Sequence, residues 1–206
     1  VRCVGTKAAE PSSINAGTGI IFATSISAIR GQVLGGSYTG AGGVGNQANI
    51  WFDYARDIMI AGVLAQDSAN PIYFKHANAA DAGNPGGSVK NTIIRNAGRA
   101  FRAALNYVNY TNNCFDAANL EIDEGGGGAP GGRFCNILFN TFLNSYLTMN
   151  VVDSNTRNDN IVKNNALLGS SHIEDNRYNA LSGVNQNNIC SYNAVAGTGT
   201  IRYWRN

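Results

Sequence analysis

The sequence has little charge and lacks the runs that mark several classes of protein. Asp, Glu, Lys and Arg make up 14% of its 206 residues, and the formal net charge is +2. No run of Lys and Arg forms the basic patch that nucleic-acid-binding proteins carry, so we expect no nucleic-acid partner. No stretch of 18 or more apolar residues occurs, which argues against a membrane span.

Motifs for metal binding and for nucleophilic catalysis are also missing. The two histidines, His76 and His172, stand far apart and neither has a neighbouring Ser or Cys motif, so no nucleophilic triad is predicted. The cysteines form no C-x-x-C pair, and with so few histidines a zinc site is not expected. We therefore predict neither a metal site nor a cofactor. The four cysteines are Cys3, Cys114, Cys135 and Cys190.

The chain instead contains a seven-residue pattern that returns several times. The segment that starts at Asn136 reads Asn-Ile-Leu-Phe-Asn-Thr-Phe, and similar segments start at Asn91, Asn160 and Asn188. Weaker copies start at residues 57 and 113. The steps between the leading residues are 34 (57 to 91), 22 (91 to 113), 23 (113 to 136), 24 (136 to 160) and 28 (160 to 188). Repeats in the low twenties indicate an architecture of stacked units.

The residue types in the repeat favour short strands joined by corners. Its second and third positions are mostly β-branched, aromatic or otherwise apolar, which is typical of strands. Its sixth position is rich in Gly and Asn, which tolerate the left-handed backbone of a sharp corner. Successive units would then stack as parallel strands about 4.8 Å apart. Ile137, Ile161 and Ile189 are expected to lie one above another.

The stacking also leads to expectations for asparagine and cysteine. The asparagines that lead the repeats are predicted to form structural ladders, in which side-chain amides bond from coil to coil. Cys114 and Cys135 lie 21 residues apart (114 to 135), so a disulfide between neighbouring coils is one alternative. Because they occupy different positions in the repeat, we favour buried free thiols. The predicted ladder residues are Asn91, Asn136, Asn160 and Asn188.

The Asn-Ile-x-x-x-Asn pattern, from about Ala28 to Gly199, resembles the repeats of the pectate-lyase-like superfamily. The resemblance implies an all-β fold, a right-handed single-stranded parallel β-helix, for which the repeats and two early strands give about seven coils. That superfamily includes polysaccharide lyases, glycoside hydrolases, epimerases and phage tailspikes. Tailspikes are trimers that bind and often cut surface polysaccharide. The resemblance therefore implies a polysaccharide partner, a homotrimer and an extracellular or virion location.

We expect residues 1–206 to form one domain. Residues 1–16 are predicted to be a lead-in or cap, residues 17–199 the coils, and residues 200–206 a cap or contact segment. The segments 78–88 and 125–132 are predicted to be inserted loops, which in solenoids line the binding face. The chain opens with Val1 and shows no initiator Met, basic n-region or apolar h-region, so we expect it to be processed or part of a longer chain. A helix over residues 51–64 is an alternative to two strands there.

The leading candidate for catalysis is the acidic group Glu121, Asp123 and Glu124. Residues two apart on a strand share a face, which places Glu121 and Asp123 roughly 7 Å apart at Cα. Two carboxylates at such a spacing can act as acid and base in glycoside cleavage. Arg133, beyond the glycine run, is a candidate for binding an anionic sugar. The alternative is an acidic strand edge that faces water and prevents side-by-side pairing of solenoids.

A second candidate group contains Asp53 and Asp57 on a stretch rich in aromatic residues. Trp51 is expected to stack on a sugar ring, and the two carboxylates to hold sugar hydroxyls. The alternative is that Trp51 and Phe52 belong to the core and that the aspartates mark a corner.

The function predicted from these groups is polysaccharide recognition, with or without cleavage by a hydrolase or lyase mechanism. A pectate-type lyase needs a Ca²⁺ cluster, and the sequence shows no convincing set of three acids on neighbouring coils. The alternative is a non-enzymatic structural protein: a virion decoration, a fibre or an adhesin segment. Two adjacent apolar repeat positions favour it, because successive strand residues face opposite sides and one outer face would need a cover.

Overall fold

The computed structural model of the chain describes residues 20–23, 29–40, 48–53, 55–68, 70–74, 86–97, 101–103, 106–123, 132, 134–150, 159–176 and 189–203. Within these residues the regular elements are all β-strands, and no helix is long and apolar enough to cross a membrane. The strands lie in three parallel sheets, and each strand pairs with the third strand before or after it in the chain. This arrangement confirms the predicted parallel β-helix.

Sheet A has eight strands. They are β1 (Ile20–Ala23), β4 (Ile50–Asp53), β7 (Ile72–Phe74), β10 (Phe101–Ala103), β13 (Leu120–Asp123), β16 (Tyr146–Asn150), β19 (His172–Asn176) and β22 (Thr200–Tyr203). The last of these strands lies in the segment for which the sequence suggested a cap or a contact.

Sheets B and C have seven strands each. Sheet B contains β2 (Ile29–Leu34), β5 (Ala55–Ala61), β8 (Gly87–Lys90), β11 (Val108–Thr111), β14 (Asn136–Leu138), β17 (Ile161–Lys163) and β20 (Ile189–Ser191). Sheet C contains β3 (Ser37–Thr39), β6 (Leu64–Ser68), β9 (Ile93–Ala97), β12 (Cys114–Asp116), β15 (Thr141–Leu143), β18 (Ala166–Gly169) and β21 (Ala194–Gly197).

The core lies between the three sheets and consists of stacked inward columns. Strand residues alternate between the two faces of a sheet, so every second residue points inward. Phe115 and Phe142 are both fully buried, and their rings stack with centroids 4.8 Å apart and an angle of 6° between the planes. That distance equals one strand spacing, so the rings follow the backbone ladder. The inward column of sheet C contains Tyr38, Ala65, Ile94, Phe115, Phe142 and Leu167.

A two-residue corner joins each strand of sheet B to the next strand of sheet C. The first corner residue has a positive φ in every case, the left-handed conformation that favours Gly and Asn. Phe139 and Tyr192 are the exceptions in residue type, with φ of 57° and 56°. Both of these rings are exposed to solvent. The seven positions are Gly35, Gly62, Asn91, Asn112, Phe139, Asn164 and Tyr192.

In the last four corners the second residue is asparagine, and these asparagines form a ladder that is buried at Asn113, Asn140 and Asn165 and half-buried at Asn193. In the rung of Asn140, the side-chain oxygen accepts the backbone N–H of Asn113 at 2.9 Å and its side-chain amide at 3.0 Å. The Asn140 amide donates to the Asn165 side-chain oxygen at 3.0 Å and to the Tyr110 carbonyl at 2.9 Å. The same pattern recurs at Asn165, so each amide ties three coils together. We call these four residues the asparagine ladder.

The predicted register is wrong by one residue for one repeat. Ile161 pairs with Ile189 as expected, but Ile137 pairs with Val162 and Asn136 pairs with Ile161. Ile137 and Val162 are buried, whereas Ile189 is exposed. The single column expected for Ile137, Ile161 and Ile189 does not exist. The sequence repeat showed two adjacent apolar positions because the shifted alignment placed residues that point inward and residues that point outward at the same repeat position.

The predicted coil-to-coil bonding of the leading asparagines is confirmed for three of them, but they do not share one ladder. Asn136 donates to the Asn109 side-chain oxygen at 2.7 Å, and the Asn91 side-chain oxygen accepts from the Asn112 amide at 2.9 Å. Asn160 is buried, and its side-chain oxygen accepts the backbone N–H of Cys135 at 2.8 Å, so Cys135 and not Asn136 is its equivalent one coil earlier. Asn136 lies on the outer side of sheet B, and Asn91 is an exposed corner residue. Asn188 lies outside the described residues. Identity of residue type misled the alignment, since asparagine serves three structural roles here.

Cys114, Cys135 and Cys190 are free thiols, which agrees with the prediction and excludes a disulfide among them. Only Cys135 is fully buried, and burial raises the pKa of its thiol to about 12. Cys3 lies outside the described residues. The alternative helix over residues 51–64 is wrong, because that stretch belongs to β4, β5 and β6.

Candidate functional site

The outer face of sheet A carries a polar column on three neighbouring strands. In β13, Glu121 is half-buried and stands between two fully buried residues, so it points outward. Strand pairing places Glu121 beside Thr148 of β16, and Thr148 beside Glu174 of β19. A parallel column on the same face contains Tyr146, which pairs with His172. We call these five residues the sheet A site.

A pair of serines fixes where these strands begin. Ser145 is buried, and its hydroxyl oxygen accepts the backbone N–H of Ala118 at 3.0 Å. The backbone N–H of Ser145 donates to the hydroxyl of Ser171 at 3.0 Å. Tyr146 and His172 directly follow these serines in the chain. The serine pair therefore sets the register that brings the two rings together.

Tyr146 and His172 form a stacked pair at the edge of the sheet A site. Their ring centroids are 4.9 Å apart with an angle of 15° between the planes. His172 Nε2 lies 3.9 Å from Glu174 Oε2, and the two side chains keep 30% and 26% of their surface exposed. At this distance the carboxylate attracts the protonated imidazole, but direct hydrogen bonding would need a closer approach. The imidazole is thus held between an aromatic face and a carboxylate while remaining reachable by a ligand.

Thr148 occupies the centre of the site and is nearly inaccessible although it points outward. It stands between the buried residues Leu147 and Met149 on its strand, and only 5% of its surface is exposed. Strand pairing places it between Glu121 and Glu174, so its hydroxyl is the polar group between the two carboxylates of the column. A hydroxyl both donates and accepts, so it can pair with the hydroxyl of a ligand. A recessed polar group between two carboxylates is the arrangement expected of a binding site.

The two carboxylates of the column stand on alternate strands, on either side of Thr148. Glu121 and Glu174 are two strands apart, which separates their Cα atoms by roughly 9.5 Å. Inverting glycoside hydrolases hold their two carboxyl groups about 6.5–9.5 Å apart, with room for a water between. No group of three His, Cys, Asp or Glu among the described residues is arranged to hold a metal ion.

The structure brings only some of the predicted site residues together. Glu121 lies in the sheet A site, and Asp123 ends the same strand, where its backbone pairs with Asn150. Trp51 and Asp53 lie on β4, three strands away from β13 in the same sheet. Glu124 and Arg133 lie outside the described residues.

Trp51 and Asp57 lie on different sheets. Trp51 is 2% exposed and packs against Tyr73 with ring centroids 5.6 Å apart, in a small buried cluster with Ala48. Asp57 lies on sheet B, in the irregular part of β5, with a φ of 51°. It therefore belongs to a different face of the solenoid from Trp51 and Glu121.

The sequence interpretation missed four members of the sheet A site: Tyr146, Thr148, His172 and Glu174. A signal was present in the sequence. Residues 120–122, 147–149 and 173–175 each consist of Leu or Ile, then a polar residue, then a further strand residue. These triplets recur at intervals of 27 (121 to 148) and 26 (148 to 174), close to one coil. Recognising them required the register of sheet A, which the asparagine-based repeat did not supply.

Comparison with known proteins gives no match: no family model, no curated protein and no solved structure matches the chain. The likeness to pectate-lyase-like proteins therefore remains one of repeat pattern and of parallel β-helix architecture.

Proposed function

We propose that the protein recognises a polysaccharide along the outer face of sheet A. The observation that carries this proposal is the polar column in which strand pairing sets the recessed Thr148 between Glu121 and Glu174. Tyr146, 38% exposed and stacked on His172, offers an aromatic face beside it. Sugars present both hydroxyls and apolar ring faces, and this site has a group for each.

The same site can cleave the bound chain by hydrolysis. One carboxyl group, as the acid, would protonate the oxygen of the glycosidic bond as that bond breaks. The other, as the base, would take a proton from a water that adds to the sugar carbon. We assign the pair to Glu121 and Glu174, with Asp123 as the alternative partner on β13. His172 beside Glu174 acts by holding that carboxylate in position.

Variants of the two carboxylates test the assignment. In Glu121→Gln and Glu174→Gln, release of reducing sugar from a panel of neutral and acidic polysaccharides should fall about 10²–10⁴-fold, the usual contribution of one acid–base group. Asp123→Asn decides between the two pairs. Asp67→Asn is a matched control, because this exposed aspartate lies on β6 of sheet C, outside the site, and Asn tolerates its left-handed backbone. Unchanged cleavage in both Gln variants would refute the catalytic roles, and failure of every glycan to bind would refute recognition.

We also propose an extracellular or virion-borne setting in which copies of the chain associate. The tailspike resemblance favours three copies. The purely structural alternative, a virion decoration, fibre or adhesin segment, is favoured by one observation, the mostly apolar outer face of sheet C. Oligomeric mass together with glycan binding separates the two functions, because a scaffold would associate without binding sugar.

A further inference from the structure

The outer face of sheet C differs from the sheet A site because most of its outward residues are apolar. Its strands alternate, with buried inward residues between outward residues that are half-buried or exposed. Ile93 keeps 46% of its surface exposed. All-parallel sheets are usually covered on both faces, and exposed apolar patches mark interaction sites. The outward residues on the middle five strands are Leu64, Gln66, Ile93, Arg95, Cys114, Asp116, Thr141, Leu143, Ala166 and Leu168.

One pair of opposite charges interrupts this face without forming an ion pair. Arg95 and Asp116 are direct partners on neighbouring strands, so their Cα atoms are about 4.8 Å apart. The Arg95 guanidinium turns away from Asp116, because its Nε donates to the side-chain oxygen of Gln66 at 3.0 Å on the preceding strand. Within the described part of the chain, the half-buried Asp116 carboxylate has no ion pair or hydrogen bond. A cation and an anion thus stand one strand apart on a surface where six of the ten outward residues are apolar.

We propose that a second copy of this chain packs on the outer face of sheet C about a two-fold axis. The axis runs along the strand direction between β9 and β12. Such an axis reverses the order of the strands, so Arg95 of each copy faces the partner's Asp116, and Ile93 faces the partner's Cys114. A two-fold contact uses the same patch on both subunits and therefore requires a self-complementary patch, which one cation and one anion on adjacent strands supply.

This inference rests on the proposed self-association and names its face and symmetry. It departs from the three-fold arrangement that the tailspike resemblance implies. It does not depend on the sheet A site, which lies on a different sheet and stays accessible in the pair.

A charge-swap series measured by sedimentation equilibrium tests the contact. The unaltered chain should sediment with the mass of two copies. Arg95→Asp and Asp116→Arg, which each place like charges opposite one another, should raise the dissociation constant about tenfold or more, as close interfacial charge pairs do. The double variant Arg95→Asp with Asp116→Arg should restore association to near its original strength. Lys90→Asp is the control, because this exposed lysine lies on the outer side of sheet B and its reversal should change nothing.

The possible results separate the two levels of the proposal. A mass of three copies would overturn the two-fold contact while leaving self-association intact. A single-copy mass at all concentrations would overturn both, without touching the assignment of the sheet A site. Association of two copies that neither single variant weakens would place the interface elsewhere and refute the role of sheet C.

Discussion

The corner between sheets B and C and the outer face of sheet A both stack polar side chains from coil to coil, but in opposite ways. In the corner, equivalent positions repeat one residue type, and the amide of Asn140 finds partners on the coils before and after it. On sheet A, equivalent positions hold different residues: Glu121, Thr148 and Glu174. A repeated residue whose buried hydrogen bonds are satisfied indicates a structural role. Different residue types at equivalent positions around a recessed hydroxyl indicate a candidate binding site.

The difference can be tested first where the asparagine ladder is deepest. Asn140→Ala removes the partner of two N–H groups, one carbonyl and one side-chain oxygen in a buried corner. Because buried groups left unpaired each cost about 1–3 kcal/mol, the free energy of unfolding should fall by about 3 kcal/mol or more. Chemical denaturation measures this loss.

Asn193→Ala is the matched control for that variant. Asn193 belongs to the same ladder but is only half-buried, so water can replace its bonds and the loss should be clearly smaller. Equal losses at the two positions would mean that burial does not set the strength of the ladder.

Alkaline pH should also weaken the core, and over any one pH unit the effect is smaller than that of Asn140→Ala. Burial raises the pKa of the Cys135 thiol from 9.0 to about 12, so between these values the unfolded chain loses a proton that the folded chain keeps. The free energy of unfolding should therefore be unaffected by this group below pH 9 and should fall as pH rises from 9 to 12, by at most about 1.4 kcal/mol per pH unit.

Cys135→Ala isolates this contribution, since it removes the thiol from both states. The variant should lose stability less steeply than the unaltered chain over the same pH range. Burial also raises the pKa of Tyr110, so some alkaline sensitivity should persist. Identical slopes in the two proteins would contradict the effect assigned to Cys135.

The smallest expected effect is a gain at the corner itself. Phe139 has a φ of 57° and is 56% exposed, so a bulky residue stands where Asn is found in the next coil at Asn164. Phe139→Asn should relieve backbone strain and raise the free energy of unfolding by about 0.5–1 kcal/mol. A thermal melt detects the change, and a loss of stability would show that the Phe139 ring contributes packing that its exposure conceals.

The sequence was sufficient for the architecture and insufficient for the register. Short β-rich repeats separated by Gly and Asn predicted parallel stacking, because both features follow from local backbone preferences. Which asparagine belongs to the ladder depends on burial, and burial cannot be read from residue type alone. Asn136 and Asn140 are four residues apart and identical in type, yet only Asn140 is buried. A one-residue error of this kind exchanges the inner and outer faces of a strand.

The candidate site was found in part for the same reason. Glu121 was singled out by its neighbours in the chain, which is a local signal. Thr148, His172 and Glu174 join it only through the pairing of β13, β16 and β19. These partners lie 27, 51 and 53 residues from Glu121 (121 to 148, to 172 and to 174), so the sequence could not assemble them without the correct strand register.

The most direct test of the account is a backbone amide NMR titration with an oligosaccharide from a panel of neutral and acidic glycans. We expect the shifts to concentrate on β13, β16 and β19, at Glu121, Thr148, His172 and Glu174, and the asparagine ladder to remain unperturbed. Shifts centred on the corner at Asn112 and Asn164 or on sheet C, or no shifts with any glycan of the panel, would contradict the claim that sheet A is the binding face.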